Sequence, residues 1–287
     1  MHFVDAKSLL TRHGGMNLYR GCAHGCIYCD SRSRCYRFTH PFEDIEVKQN
    51  APALLEDILK KRRRRFVIST GSMSDPYQPC EAELQLTRRC LELIERYGFG
   101  ASVITKSDLV LRDLDLFERI HQSAKSVLQM TLTVADDDLS RVLEPNVCTT
   151  TRRYEVLKEF QRLGIPTVVW MTPILPFLTD TEENVRRILD SCFDAGVKGV
   201  VCFGMGLTLR DGNREYFYQA LDRHFPGLAD EYRKRFGGAY EAASPNADNL
   251  LRIFHEACEK HGVLHDPEAC FRYIADLPER NEQLSLF

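Results

Sequence analysis

Between residues 16 and 203 the chain alternates between two patterns, and this alternation restricts its fold more than any other feature. Short apolar runs, rich in β-branched residues, occupy 16–20, 66–70, 100–106, 126–133, 165–172 and 197–203. Between them lie longer segments of helical character at 51–64, 84–97, 114–124, 151–163 and 181–195; in the first of these Leu54, Leu55, Ile58 and Leu59 recur at helical spacing. Six apolar strands separated by helices predict an α/β fold with a parallel sheet covered on its outer face. Right-handed crossovers curl such a sheet. In a curled parallel sheet, chemistry belongs at the C-terminal ends of the strands. Residues 211–287 break the pattern. Helical segments at 215–225, 228–236 and 248–261 predict an extension packed across the mouth or side of a barrel formed by residues 1–210.

The first strand end carries Cys22, Cys26 and Cys29, spaced C-x3-C-x2-C. Three thiolates within eight residues form a soft-ligand site. A 4Fe–4S cluster has four irons to ligate, so three cysteines leave one iron open. An open position is what catalytic metal sites keep. The same spacing also suits zinc, with His24 or a distant residue as fourth ligand, or a simple electron-transfer cluster. Cys35 as a fourth ligand would close the site.

The second strand end reads Thr70-Gly-Ser-Met-Ser-Asp-Pro-Tyr-Gln-Pro79. Gly71 allows close backbone approach. Ser72, Ser74 and Asp75 offer hydrogen-bonding groups, and Asp75 suits an ammonium or an arginine, unless it only builds an Asp-Pro turn. The third end, Thr105-Lys106-Ser107, places a lysine where an anionic group would be its partner. The fourth strand carries Gln129, Thr131 and Thr133 and leads to Glu144-Pro145-Asn146. Arg152 and Arg153 follow, each able to fork onto a carboxylate or phosphate.

The 287 residues are 44% hydrophobic and 28% charged, enough for a full globular core, and carry a net charge of −3. That balance is not the global signature of a nucleic-acid binder. The one strong basic run, Lys60 to Arg65, is either a solvated helix end that complements the helix dipole or a phosphate-contacting patch. It precedes a strand, on the side away from the strand C-termini. Eleven cysteines, no secretory leader pattern and no apolar run of transmembrane length predict a reduced, cytoplasmic protein. Cys258, Cys270, His255, His261 and His265 fit no common zinc or cluster spacing, so core and surface roles and a single cluster per chain are expected.

With Tyr28 in the aromatic position of C-x3-C-x-φ-C, the chain resembles the radical S-adenosylmethionine (SAM) superfamily. The resemblance implies a partial (βα)6 TIM-type barrel. It implies a 4Fe–4S cluster on Cys22, Cys26 and Cys29, and SAM chelated to the open iron. SAM would be cleaved reductively to a 5′-deoxyadenosyl radical, with electrons from a reductant such as flavodoxin or ferredoxin. The Pro- and Gly-rich ends of the fifth and sixth strands would suit an adenine. From about residue 15 to 210 the chain further resembles the spore photoproduct lyase and DNA-repair-photolyase-like branch, through Met-Asn-Leu-Tyr-Arg-Gly before the cysteines, Ser-Asp-Pro-Tyr-Gln-Pro, Thr-Lys-Ser and Glu-Pro-Asn with a following arginine. This implies Tyr28 near the adenine, and Ser74 and Lys106 on the SAM carboxylate, with Ser107 beside them. Asp75, Tyr77, Glu144 and Arg153 become the catalytic pocket candidates.

One position departs. That lyase has a cysteine, which returns a hydrogen atom to the product radical, where this chain has Ser72; a serine O–H bond is too strong for that task. Cys148 is a candidate replacement thiol. Three readings therefore compete: repair of a nucleic-acid lesion, radical modification of a peptide or small molecule, and a non-enzymatic iron–sulfur or zinc protein. The charge balance and the missing thiol favour the second over the first.

Overall fold

The computed structural model describes residues 1–277; the final stretch of the predicted extension, 278–287, lies outside the described residues. In chain order the elements are β1 (His2–Val4), β2 (Gly15–Met16), β3 (Tyr19–Arg20), β4 (Glu46–Lys48), α1 (Ala51–Lys61), β5 (Val67–Thr70), α2 (Glu81–Leu84), α3 (Leu86–Arg96), β6 (Gly100–Thr105), α4 (Leu114–Ser123) and β7 (Ser126–Thr131). There follow α5 (Asp137–Leu143), α6 (Thr150–Arg162), β8 (Thr167–Trp170), α7 (Glu182–Asp194), β9 (Gly199–Val201), β10 (Gly206–Thr208), α8 (Asn213–His224), α9 (Leu228–Phe236), β11 (Glu241–Ala243), α10 (Ala247–His261) and α11 (Pro267–Ala275).

Strands β2, β5, β6, β7, β8 and β9 form one parallel six-stranded sheet in that order, a partial (βα)6 barrel. On its outer face Val103, Leu128, Met130, Val169 and Val200 share a core with Leu55, Cys90, Phe117, Phe160, Leu189 and Phe254 of α1, α3, α4, α6, α7 and α10. This is why the strands read as continuous apolar runs: the other face is covered too. There Val127, Val168 and Val201 pack against Cys270 and Ile274 of α11, which gives the barrel interior a floor. Lys125, at the start of β7, donates to the carbonyls of Tyr273 and Asp276 and so caps the C-terminus of α11.

Several predicted elements take a different form. The apolar run at 16–20 is two strands in two sheets. Met16 pairs with Thr70 in the barrel, while Tyr19 and Arg20 pair with Val47 and Glu46 in a three-stranded sheet of order β1-β4-β3. The single helix expected at 84–97 is α2 and α3, broken at Gln85 with φ 49°. The break lets the buried Glu81 carboxylate accept from the amides of Leu86 and Thr87, capping α3. Helix α1 stops at Lys61. The basic residues beyond it, Arg62, Arg64 and Arg65, join Arg12 and His13 around a broad basin at the N-terminal ends of the strands.

The extension divides between mouth and side. Phe217, Leu221 and Tyr232 of α8 and α9 pack with Cys26, Tyr28, Leu143 and Leu175. Strand β11 pairs antiparallel with β10. Helix α10 lies against α7, and Leu264 bridges Gly199 at the β9 edge. No helix among the described residues is long and apolar enough to cross a membrane.

Candidate active site

The cysteine loop between β3 and the first short turn is held from three sides. Gly21 has φ +86°, and a Cβ there would lie 2.4 Å from the Phe42 carbonyl oxygen, so only glycine fits. That same carbonyl accepts from the Cys22 amide at 3.2 Å. From the loop after β5, Ser74 donates to the Gly21 carbonyl, and the Gln78 side chain accepts from the Ala23 amide at 3.1 Å. From the end of α5 the Leu143 carbonyl accepts from the Ile27 amide at 2.9 Å, and from the loop after it Asn146 donates its side chain to the Ala23 carbonyl and its backbone amide to the His24 carbonyl. The motifs at 74–79 and 144–146 are therefore clamps on the cysteine loop.

Behind the loop lies a buried charged cluster. Glu144 and Arg153 are each inaccessible to solvent and form a direct ion pair, and Tyr28 donates its hydroxyl to the same carboxylate. Arg153 also donates to the carbonyls of Cys148 and Thr131, at 3.0 and 3.1 Å. Burial works to raise the Glu144 pKa, but Arg153 and Lys106 overcome it and hold the carboxyl below its ordinary range. Asp75 accepts from the Tyr77 amide at 2.8 Å, the Thr105 hydroxyl at 2.7 Å and the Lys106 amide at 2.8 Å. It also faces His24, whose Nδ1 lies 3.3 Å away and whose pKa is lowered chiefly by burial. Asp75 thus ties the end of β6 to the cysteine loop and fixes the backbone from which Lys106 projects.

Cys26, Cys29, Tyr28 and Lys106 open on one cavity of about 630 Å³, together with Gly71, Ser72 and Thr131. Its far wall is Trp170, Thr172, Pro173 and the segment 203–208. Trp170 is fixed in orientation: its indole N–H donates to Gln129 at 2.8 Å, and Gln129 donates onward to Ser102 at 2.7 Å. Phe203 stands over Trp170, edge to face with ring centroids 5.7 Å apart. Burial works to lower the Lys106 pKa, but the Cys26 sulfur, once a thiolate, and the Glu144 carboxylate outweigh it and raise the pKa.

Of the residues predicted from the sequence, Cys26, Cys29, Tyr28 and Lys106 line the cavity, and Cys22 sits beside them on the same loop. The other expectations change character. Ser74 spends its hydroxyl on Gly21, and the Ser107 side chain caps the turn at Leu109. Tyr77 points away and donates to Asp113 at 3.0 Å in the helical layer. Asp75, Glu144 and Arg153 are supports of the cysteine loop rather than cavity walls. Cys148 donates its thiol to the Lys106 carbonyl at 3.2 Å and does not line the cavity. Cys258 and Cys270 are buried in apolar clusters, and His261 stacks on Phe193 at 3.9 Å. Gln78 and Asn146 lie in motifs read from the sequence but without a role of their own there, and Trp170 was read only as part of a strand; the lone Trp at a strand end was the available signal.

The donor set fits a 4Fe–4S cluster. Cys22, Cys26 and Cys29 do not form a group whose sulfurs all lie within 4.8 Å of one another. A mononuclear zinc at about 2.3 Å from each sulfur would draw them to roughly 3.8 Å apart. Thiols spread more widely around a pocket with one side open to a cavity suit a larger cluster. Burial pushes the Cys22 thiol up to about 12, so a bound metal centre is needed to hold it as thiolate.

The chain resembles known proteins in sequence and fold. It is 32% identical over 227 residues to uncharacterized proteins of Mycobacterium bovis and Mycobacterium tuberculosis, a match spanning 77% of this chain and 66% of theirs. It is 34% identical over 171 residues to an uncharacterized protein of Methanocaldococcus jannaschii, covering 58% of this chain and 62% of that one. Among solved structures, a cysteine-to-serine mutant of spore photoproduct lyase superposes with TM-score 0.64 and 15% identity over 92% of this chain and 80% of the lyase. The lyase complexed with dinucleoside spore photoproduct gives TM-score 0.59 over 86% and 74%. At this identity the likeness is one of fold. The family model for the radical SAM superfamily matches residues 16–192, and the chain belongs to that superfamily.

Proposed function

We propose that this protein is an enzyme that cleaves SAM reductively, at a 4Fe–4S cluster held by Cys22, Cys26 and Cys29, to a 5′-deoxyadenosyl radical that takes a hydrogen atom from a substrate. The observation that carries this reading is that Cys26, Cys29, Tyr28 and Lys106 all open on one cavity. Lys106 supplies the cation for the SAM carboxylate. Tyr28, anchored on Glu144, forms the adjoining wall. Ser74 and Gln78 keep the loop in register, and the apolar packing of α8 and α9 against Cys26 and Tyr28 excludes water from that side. A small reductant such as flavodoxin or ferredoxin is the proposed electron source, and one cluster per chain is proposed.

Two substrate classes fit the family. The fold neighbours include a lyase in complex with a dinucleoside lesion, which supports repair of nucleic acid. Ser72 on the cavity wall and the inward-turned Cys148 favour the other class, a peptide or small molecule, because neither supplies a thiol to the cavity.

Anaerobic reconstitution with iron and sulfide, followed by dithionite and SAM, tests the reaction class. Wild type should bind about four irons and form 5′-deoxyadenosine, and the variant carrying Cys22→Ala, Cys26→Ala and Cys29→Ala should do neither. A loaded cluster whose EPR signal ignores SAM overturns the proposal. Stimulation by a pyrimidine-dimer duplex, weakening with salt, would select the nucleic-acid substrate; its absence would select the other class.

A further inference from the structure

A second group of metal-ligand type sits away from the cysteine loop, on the three-stranded sheet. His2 and Glu46 are register partners on neighbouring strands β1 and β4, and His40 comes from the loop leading into β4. One ring nitrogen of His2, one of His40 and a Glu46 carboxylate oxygen all lie within 4.8 Å of one another. They are the sole such group of three or more among the described residues.

The hydrogen bonds around these residues leave a ligand atom of His40 free. His40 Nδ1 lies 3.0 Å from the Pro41 carbonyl and donates to it, which puts the lone pair on Nε2. That Nε2 is buried and has no hydrogen-bond partner. It lies 3.7 Å from Glu46 Oε2, too long for a hydrogen bond. Two ligands held tetrahedrally at about 2.1 Å from one zinc ion are roughly 3.4 Å apart, so the pair needs to move by only about 0.3 Å. His2 Nδ1 lies 3.1 Å from the Asp44 carboxylate, which fixes its tautomer in the same sense. A carboxylate or a backbone carbonyl on the far nitrogen is the usual outer partner of a metal-bound histidine.

Three cations stand around this group: the Met1 ammonium, 2.7 Å from the Asp44 carboxylate that holds His2; Lys48, which feels the Glu46 charge and donates to the Asn17 carbonyl at 2.8 Å; and Arg20. Arg20 NH1 stands 3.9 Å from Glu46 Oε2. Its other terminal nitrogen is committed to the carbonyls of Tyr36 and Arg37, at 2.7 and 3.0 Å, and its guanidinium lies over the Phe38 ring at 4.7 Å. Arg20 is thus held back from Glu46, and the carboxylate retains lone pairs for another partner.

We propose that His2, His40 and Glu46 bind one zinc ion, with solvent completing the coordination. Two imidazoles and one carboxylate are a zinc donor set. The ion would fasten β1 to the loop that carries Phe42. Phe42 in turn holds the Cys22 amide, so the site stiffens the back of the cysteine loop.

The test uses the full chain after anaerobic cluster reconstitution, equilibrated with zinc chloride and desalted, with zinc measured by mass spectrometry and zinc-edge X-ray absorption. Wild type should retain about one zinc per chain, with nitrogen and oxygen neighbours near 2.0–2.1 Å and no sulfur at 2.3 Å. His40→Ala and the near-isosteric Glu46→Gln should each weaken zinc at least tenfold while leaving iron content unchanged. No retained zinc, sulfur in the zinc shell, or equal retention by a folded Glu46→Gln variant each overturns the proposal. None of these readouts depends on SAM cleavage.

Discussion

On the cysteine side of the cavity, the polar groups behind the lining are bonded to other parts of the chain. Ser74, Asp75, Gln78, Glu144, Asn146 and Arg153 all spend their side chains on the loop or on the residues that brace it. On the opposite side the lining is mostly aromatic, aliphatic or bare backbone. Phe203 is 60% exposed, and nothing lies within 4 Å of the position a Cβ on Gly204 would take. The first wall is a hydrogen-bonded mount; the second is anchored at Trp170 and β10 and open at Phe203 and Gly204. A cofactor bound the same way at every turnover needs the mount. We propose that the other wall, whose strand ends the sequence offered to an adenine, also admits the substrate.

The largest expected effect comes from breaking the mount at its centre. Arg153→Ala leaves the Glu144 carboxylate buried without its partner, at a cost of about 3–5 kcal/mol. The thermal midpoint should fall by roughly 10 °C, and iron retention should fall with it, because Tyr28 and the loop hang on the same carboxylate. Combining Arg153→Met with Glu144→Gln removes both charges and should recover part of the loss. Guanidinium titration of the single and double variants checks this. If the single variant were as stable as wild type, the two walls would not differ in the way described.

The positions of both walls were legible in the sequence, but their division of labour was not. The alternation of apolar runs and helices located every strand of the barrel sheet, because parallel strands covered on both faces leave an unbroken apolar signature. Strand-end position then brought Cys26, Cys29, Tyr28 and Lys106 to one cavity. What spacing cannot tell is which way a polar side chain turns once it is there. Tyr77 and Arg153 looked like pocket groups but turn away from the cavity: Tyr77 donates to the buried Asp113 carboxylate, and Arg153 to the Glu144 carboxylate and the carbonyls of Cys148 and Thr131. The Gln85 break was hidden because Glu81 caps α3 from outside the helical pattern. Helix α11 did carry a start signal, Asp266-Pro267-Glu268, with the Asp266 side chain accepting from the Ala269 amide at 2.8 Å.

A smaller effect should follow from Lys106→Met, which removes a charge from the mount without touching its frame. Asp75 holds residue 106 through its backbone amide, so the loop stays in place. Iron content and stability should stay near wild type. The KM for SAM should rise by about tenfold to a hundredfold, the 1.5–3 kcal/mol of a charge-assisted contact, with kcat less affected. An unchanged KM would remove Lys106 from the cofactor side and return it to the substrate.

The mildest change belongs to the open wall. Phe203→Ala removes an exposed ring that packs edge to face on Trp170 and tilted on Phe271. Stability should shift by no more than about 0.5 kcal/mol, as for other surface positions. SAM cleavage in the absence of substrate should be unchanged, since the ring packs on Trp170 and Phe271. Once a substrate is in hand, its kcat/KM should fall about three- to tenfold, the 0.5–1.5 kcal/mol of an aromatic contact. If Phe203→Ala instead lowered uncoupled cleavage, the ring would be part of the cofactor mount. The line between the two walls would then run through the sixth strand rather than between Lys106 and Trp170.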